Sequence, residues 1–163
     1  MLVWMAGEDA FSQSADRQNM PLIRFGVGFY DIRRTSATGQ KELEFAFPEI
    51  LNSLQPFAGF IATGTHDGYV YVGMSAKKPL SNHLLLLPSF ACGFYGHGNG
   101  IQLGYPLEFR SSLEIAWQWN SQIRLGVAFS HLSHGPLTGF NPGLETITLS
   151  IARTIVESET LQP

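Results

Sequence analysis

The sequence predicts an all-β chain, an eight-stranded antiparallel up-and-down barrel, on three observations. From Pro21 onward it breaks into short apolar-rich runs separated by turn residues, at roughly 22–31, 41–48, 56–65, 68–75, 84–96, 106–119, 122–133 and 144–155. Several runs alternate with period 2, as strands with two unlike faces do, and none holds a 3.6-residue period. Only 14% of residues are charged, while 12% are aromatic and seventeen are Gly. That balance suits strands and tight turns, and suits neither a helical bundle nor a disordered segment. Eight such runs close into a barrel with no free edge.

Each element has its own warrant. Residues 1–20 read as a loose N-terminal segment, polar from Glu8 to Met20; 21–155 as the barrel; and 156–163 as a polar tail. In the first run Ile23, Phe25, Val27 and Phe29 face one way and Arg24, Gly26, Gly28 and Tyr30 the other. A turn is expected over Thr38–Gln40 around Gly39, followed by Leu43, Phe45 and Phe47 alternating with Glu42, Glu44 and Ala46. Pro48 to Gln55 is the nearest approach to a helix. His66-Asp67-Gly68 reads as a hairpin turn, and Pro88 as a bulge or an irregular strand start.

Over 107–119 the alternation is clearest. Leu107, Phe109, Leu113, Ile115, Trp117 and Trp119 share a side, joined by Ser111. Glu108, Arg110, Ser112, Glu114 and Gln118 share the other, joined by Ala116. Asn120-Ser121 and Asn141-Pro142-Gly143 are the turns that bound the next run.

Other function classes fall away. A 163-residue chain of net charge −3 is one domain with no electrostatic case for nucleic acid. The longest apolar run, Leu84 to Pro88, is far short of a spanning helix. Met1 to Gly7 lacks the basic and apolar regions of a secretory leader. A single cysteine, Cys92, permits no disulfide within the chain and reads as a packed small hydrophobe. Gly96 to Gly100 is a glycine-rich loop with no helix after it, so no phosphate cradle is expected. Lys77-Lys78 reads as a solvated pair.

Two barrels compete. A lipocalin-like barrel puts apolar residues inside, and an outer-membrane barrel puts them outside. Glu108, Arg110 and Glu114 suit either pairing across a lumen or solvent. Trp117 and Trp119 beside the Asn120-Ser121 turn suit an interfacial aromatic belt. The pattern leans toward the membrane version and leaves the soluble binder of an apolar ligand open.

The chemistry concentrates in the last two runs. Alternation places Ile123, Leu125, Val127, Phe129, His131 and Ser133 on one face, so a His and a Ser extend an apolar stripe. Glu145, Ile147, Leu149 and Ile151 share a face in the next run. Antiparallel pairing brings Glu145 back toward His131 and Ser133. A base, a hydroxyl and a carboxylate within reach form a nucleophile–base–orienter set. His131, His134 and Glu145 do not form a zinc set, because a three-residue spacing puts the two rings on opposite faces. No metal or cofactor is expected.

The stretch Phe129-Ser130-His131-Leu132-Ser133-His134, followed by Asn141-Pro142-Gly143-Leu144-Glu145, resembles the signature of the lipid A 3-O-deacylase (PagL-type) family. Gly104-Tyr105-Pro106-Leu107-Glu108-Phe109-Arg110 is also similar, and the resemblance covers roughly residues 20–155. It implies an eight-stranded outer-membrane barrel whose active site lies on the lipid-facing wall near the extracellular rim. The implied reaction removes the ester-linked 3-hydroxyacyl chain at position 3 of lipid A, with lipopolysaccharide as substrate and membrane lipid as surroundings. Ser133 would be nucleophile, His131 general base and Glu145 orienter, with Asn141 supporting the oxyanion. His134 stands where the family usually has Asn, and the chain ends on a polar tail where such barrels usually end on an aromatic.

Overall fold

The computed structural model describes residues 20–35, 37–51 and 53–155. Nine strands follow one another: β1 (Leu22–Tyr30), β2 (Thr38–Ala46), β3 (Leu54–Thr63), β4 (Gly68–Ala76), β5 (Lys78–Pro79), β6 (Leu84–Gly96), β7 (Leu107–Gln118), β8 (Ile123–Ser133) and β9 (Leu144–Thr154). The eight long strands pair antiparallel with their sequence neighbours. The first and last also pair, Leu22 opposite Thr154 and Tyr30 opposite Thr146. The sheet is therefore a closed eight-stranded antiparallel barrel, with the two-residue β5 attached to β6 at its lower end. Residues 1–19 of the expected N-terminal segment and the tail from 156 lie outside the described residues.

The two faces settle the competition between barrels. Phe25, Val27, Leu43, Phe60, Val72, Leu113, Ile115, Val127, Leu149 and Ile151 are exposed on the outer wall. The lumen instead holds charged side chains. Arg24 contacts Glu42 and Glu114, each at 3.1 Å, and Arg110 contacts Glu42 at 2.7 Å. The Tyr71 hydroxyl donates to Glu42 at 2.6 Å, and the Arg110 guanidinium lies 5.0 Å over the Tyr71 ring. Apolar outside and polar inside is the membrane arrangement, so the lipocalin-like alternative is excluded. Gly126 makes room for this network: a Cβ there would sit 2.0 Å from Glu114 Oε1.

The chain enters and leaves at one end, the lower rim, where Leu22 pairs with Thr154. There Trp117 and Trp119 are exposed, and Trp117 stacks on His83. At the upper rim the 97–106 loop folds inward. Leu103 is buried with Tyr30, Tyr69, Leu132 and Leu144, closing the top of the lumen. Asp67 anchors this loop: its carboxylate accepts N–H groups of Gly98 at 2.7 Å and Gly100 at 3.3 Å. Thr65 donates to it at 2.6 Å and Thr63 at 3.2 Å. Burial opposes charge on Asp67, but these donors outweigh it and hold the carboxyl below its ordinary range.

Several local readings are corrected. Gly39 is not in a turn but inside β2, opposite Phe29, and the turn begins at Asp31. Closure demands this length, because β1 must reach Tyr30 to pair along β9. In the stretch nearest to a helix, Leu51 and Ser53 have positive φ, and Ile50 bridges Leu54. Pro88 makes no bulge in β6, whose register with β7 is continuous. On its other side it falls between the last β4 pair, at Ser89, and the first β5 pair, at Leu86, where no ladder partner asks for an N–H. Cys92 is exposed on the outer wall and not packed. Lys77 is not solvated alone but ion-paired with Glu49.

Candidate active site

The site is built by the upper ends of β8 and β9 and by two loops. Alternation along β8 turns His131 outward and leaves Leu132 and Ser130 fully buried in the lumen. His131 and Glu145 are direct cross-strand partners. The His131 Nδ1–H donates to Glu145 Oε1 at 3.2 Å. A carboxylate on Nδ1 fixes the tautomer that leaves Nε2 as the base. The His131 side chain is 46% exposed, whereas that of Glu145 is 10% exposed. The carboxylate is thus shielded and the imidazole accessible.

Ser133 lies two residues along β8 on the same face as His131. Its hydroxyl has no hydrogen-bond partner among the described residues, so imidazole and carboxylate are joined and the serine stands beside them unbonded. Nucleophile–base contacts are often open until substrate binds. Asn141 donates from Nδ2 to the Gly135 carbonyl at 2.7 Å, which ties the β8–β9 loop to itself. His134 faces away from this group, fully buried, and its Nε2–H donates to the Phe140 carbonyl at 2.9 Å. His131 and His134 therefore point to opposite sides of the wall.

Three contributors were not read from the sequence. Arg33, in the β1–β2 loop, donates from Nη1 to the same Glu145 Oε1 at 2.7 Å while its side chain stays 73% exposed. Arg34 reaches the carbonyls of Gly143 and Pro142, both at 3.1 Å, and Asp31 at 2.6 Å. Gly143, with φ +54, lies under the imidazole: a Cβ there would sit 3.0 Å from His131 Cε1. The adjacent Arg33-Arg34 pair was the available signal. Its meaning depends on closure, which sets the β1–β2 loop beside β9.

The family model described as lipid A 3-O-deacylase (PagL) matches residues 28–154. The fold resembles the crystal structure of the outer membrane enzyme PagL, with TM-score 0.63 and 14% identity over 82% of this chain and 99% of that one. A de novo designed transmembrane β-barrel gives TM-score 0.59 at 13% identity, over 84% of this chain and 96% of the design. Neisserial surface protein A gives 0.59 at 6% identity, over 83% and 97%. No curated protein sequence matches the chain. At these identities the structures establish the barrel alone, and the family model establishes kinship: the chain belongs to the lipid A 3-O-deacylase (PagL) family.

Proposed function

We propose that this protein is an outer-membrane serine esterase that removes the ester-linked 3-hydroxyacyl chain at position 3 of lipid A. The observation that carries the reading is the His131–Glu145 pair on the outer wall, one alternation from the unbonded Ser133 hydroxyl. A hydrolytic site facing away from the lumen suits a substrate that lies in the membrane beside the barrel, as lipid A does.

In this reaction Ser133 Oγ attacks the ester carbonyl and His131 Nε2 takes its proton. Glu145 keeps the imidazole oriented and stabilises its positive charge. The tetrahedral intermediate collapses, the sugar oxygen leaves with the proton from His131, and the acyl chain remains on Ser133. Water, deprotonated by His131, then releases the fatty acid. Asn141 has one amide N–H committed to Gly135 and a second to offer the oxyanion. No step uses a metal or a cofactor.

The test is mass spectrometry of lipid A from a Gram-negative host making the protein. Loss of one 3-hydroxyacyl chain from position 3 is expected. Unaltered lipid A, with the barrel folded in the outer membrane, would favour a non-catalytic structural barrel.

A further inference from the structure

Three serines that face the polar lumen next to the site's strands have protein partners: Ser130 donates to Ser112 at 2.9 Å, Ser112 to the Phe129 carbonyl at 3.3 Å, and Ser150 to Glu114 at 3.1 Å. On the outer wall beside the site, Ser133 and Ser111 have none among the described residues. Ser133 already has a role as nucleophile. Ser111 does not, and a hydroxyl without a partner on an apolar wall is costly unless something else bonds it.

Its position is specific. Ser111 is the direct cross-strand partner of His131 on one side and of Phe90 on the other. Directly opposed side chains sit about 4.5–5.5 Å apart at Cβ, and diagonal ones about 7–8 Å. Along β7 it lies between Phe109 and Leu113, and Phe109 stacks on Phe90 at 5.9 Å between ring centroids. Ser111 is thus a small exposed hydroxyl flanked by aromatic and aliphatic side chains. Below it Leu113, Ile115 and Val127 continue an exposed apolar track toward the lower rim.

We propose that Ser111 is a specificity-determining residue that hydrogen-bonds the 3-hydroxyl of the scissile acyl chain. This rests on the esterase reading. With the ester carbonyl at Ser133 and His131, the hydroxyl two carbons further along the chain falls over Ser111, and the remaining tail follows the apolar track. A site built to bond a hydroxyl discriminates against the chain that lacks it.

The test uses the purified barrel in detergent micelles and two lipid A substrates that differ only in the 3-hydroxyl of the scissile chain. Wild type should prefer the hydroxylated chain in kcat/KM, by about tenfold on the scale of one hydrogen bond. Ser111→Ala should lose most of that preference by slowing on the hydroxylated substrate, while its rate on the plain chain stays within about twofold. Ser111→Thr, which retains a hydroxyl, should keep the preference. An unchanged preference in Ser111→Ala, or an equal loss on both substrates, would overturn the assignment while leaving the esterase intact. A wild-type barrel that hydrolyses neither substrate would overturn the esterase reading itself.

Discussion

Two charged clusters in this barrel are built from the same parts and behave differently. In the lumen, Arg24, Arg110, Glu42 and Glu114 are held by β1, β2 and β7 and shielded from solvent. On the upper rim, Arg33, Glu145 and His131 form a shorter chain that starts at an exposed guanidinium and ends at a half-exposed imidazole. The lumen cluster has its ends tied to fixed partners, so its electrostatic energy goes into keeping the ring closed. The rim cluster ends in a ring nitrogen that can take a proton, beside a hydroxyl that no residue occupies. Guanidinium–carboxylate pairs alone do not suggest a catalytic site; the proposed esterase reading rests on a chain of them that ends in an accessible imidazole beside an unbonded hydroxyl.

Substitutions can break each cluster separately. The largest effect is expected from Ser133→Ala, which should lower lipid A deacylation to background, by about a millionfold on a protease precedent. His131→Asn should be nearly as severe. Both should leave the heat-modifiable gel mobility of the folded barrel unchanged, because both residues sit on the outer wall. Glu145→Gln should lose less than Ser133→Ala and keep measurable turnover, because the carboxylate acts only through the imidazole.

The lumen should respond in the opposite sense. Glu42→Ala leaves Arg24 and Arg110 without their shared partner, and removing one member of a buried ion cluster costs about 3–5 kcal/mol. Urea or guanidinium unfolding in micelles should show the loss, while the protein that remains folded keeps its specific activity. Arg33→Gln should be the mildest change, lowering kcat by less than about fivefold, since the Arg33 side chain is mostly in solvent.

The Asp67 anchor sharpens the comparison by pH. Its carboxyl is held below the ordinary range. The stability it contributes is therefore complete above the unfolded-state value and lost as pH falls through the lower folded-state value. Protection factors in the 97–106 loop, with the intrinsic pH dependence of amide exchange divided out, should be flat on acidification until below about pH 4. Asp67→Asn should exchange faster there already at neutral pH.

The strands were legible because alternation is a local property: 107–119 and 122–133 show both faces in the order of their residues. The His131–Glu145 contact was legible for the same reason, since two adjacent strands and one loop set its register. Closure was expected from the eight runs, but alternation does not convey the register at which the first strand meets the last. That Arg33 meets Glu145, and that Gly39 lies in a strand, both follow from β1 pairing with β9 across the length of the chain. Alternation sets Ser111 and Ser112 on opposite faces, but it does not convey that Ser112 is hydrogen-bonded and Ser111 is not.

The central claim is that chemistry occurs on the outer wall at Ser133. The most direct measurement is covalent labelling of the folded barrel in micelles with a lipid-tailed fluorophosphonate, followed by peptide mass spectrometry. A single adduct on the Ser133 peptide is predicted, formed by displacement of fluoride, strongly slowed in His131→Asn and absent in Ser133→Ala. An active barrel that carries no adduct on Ser133, or that is inactivated by an adduct elsewhere, would contradict it.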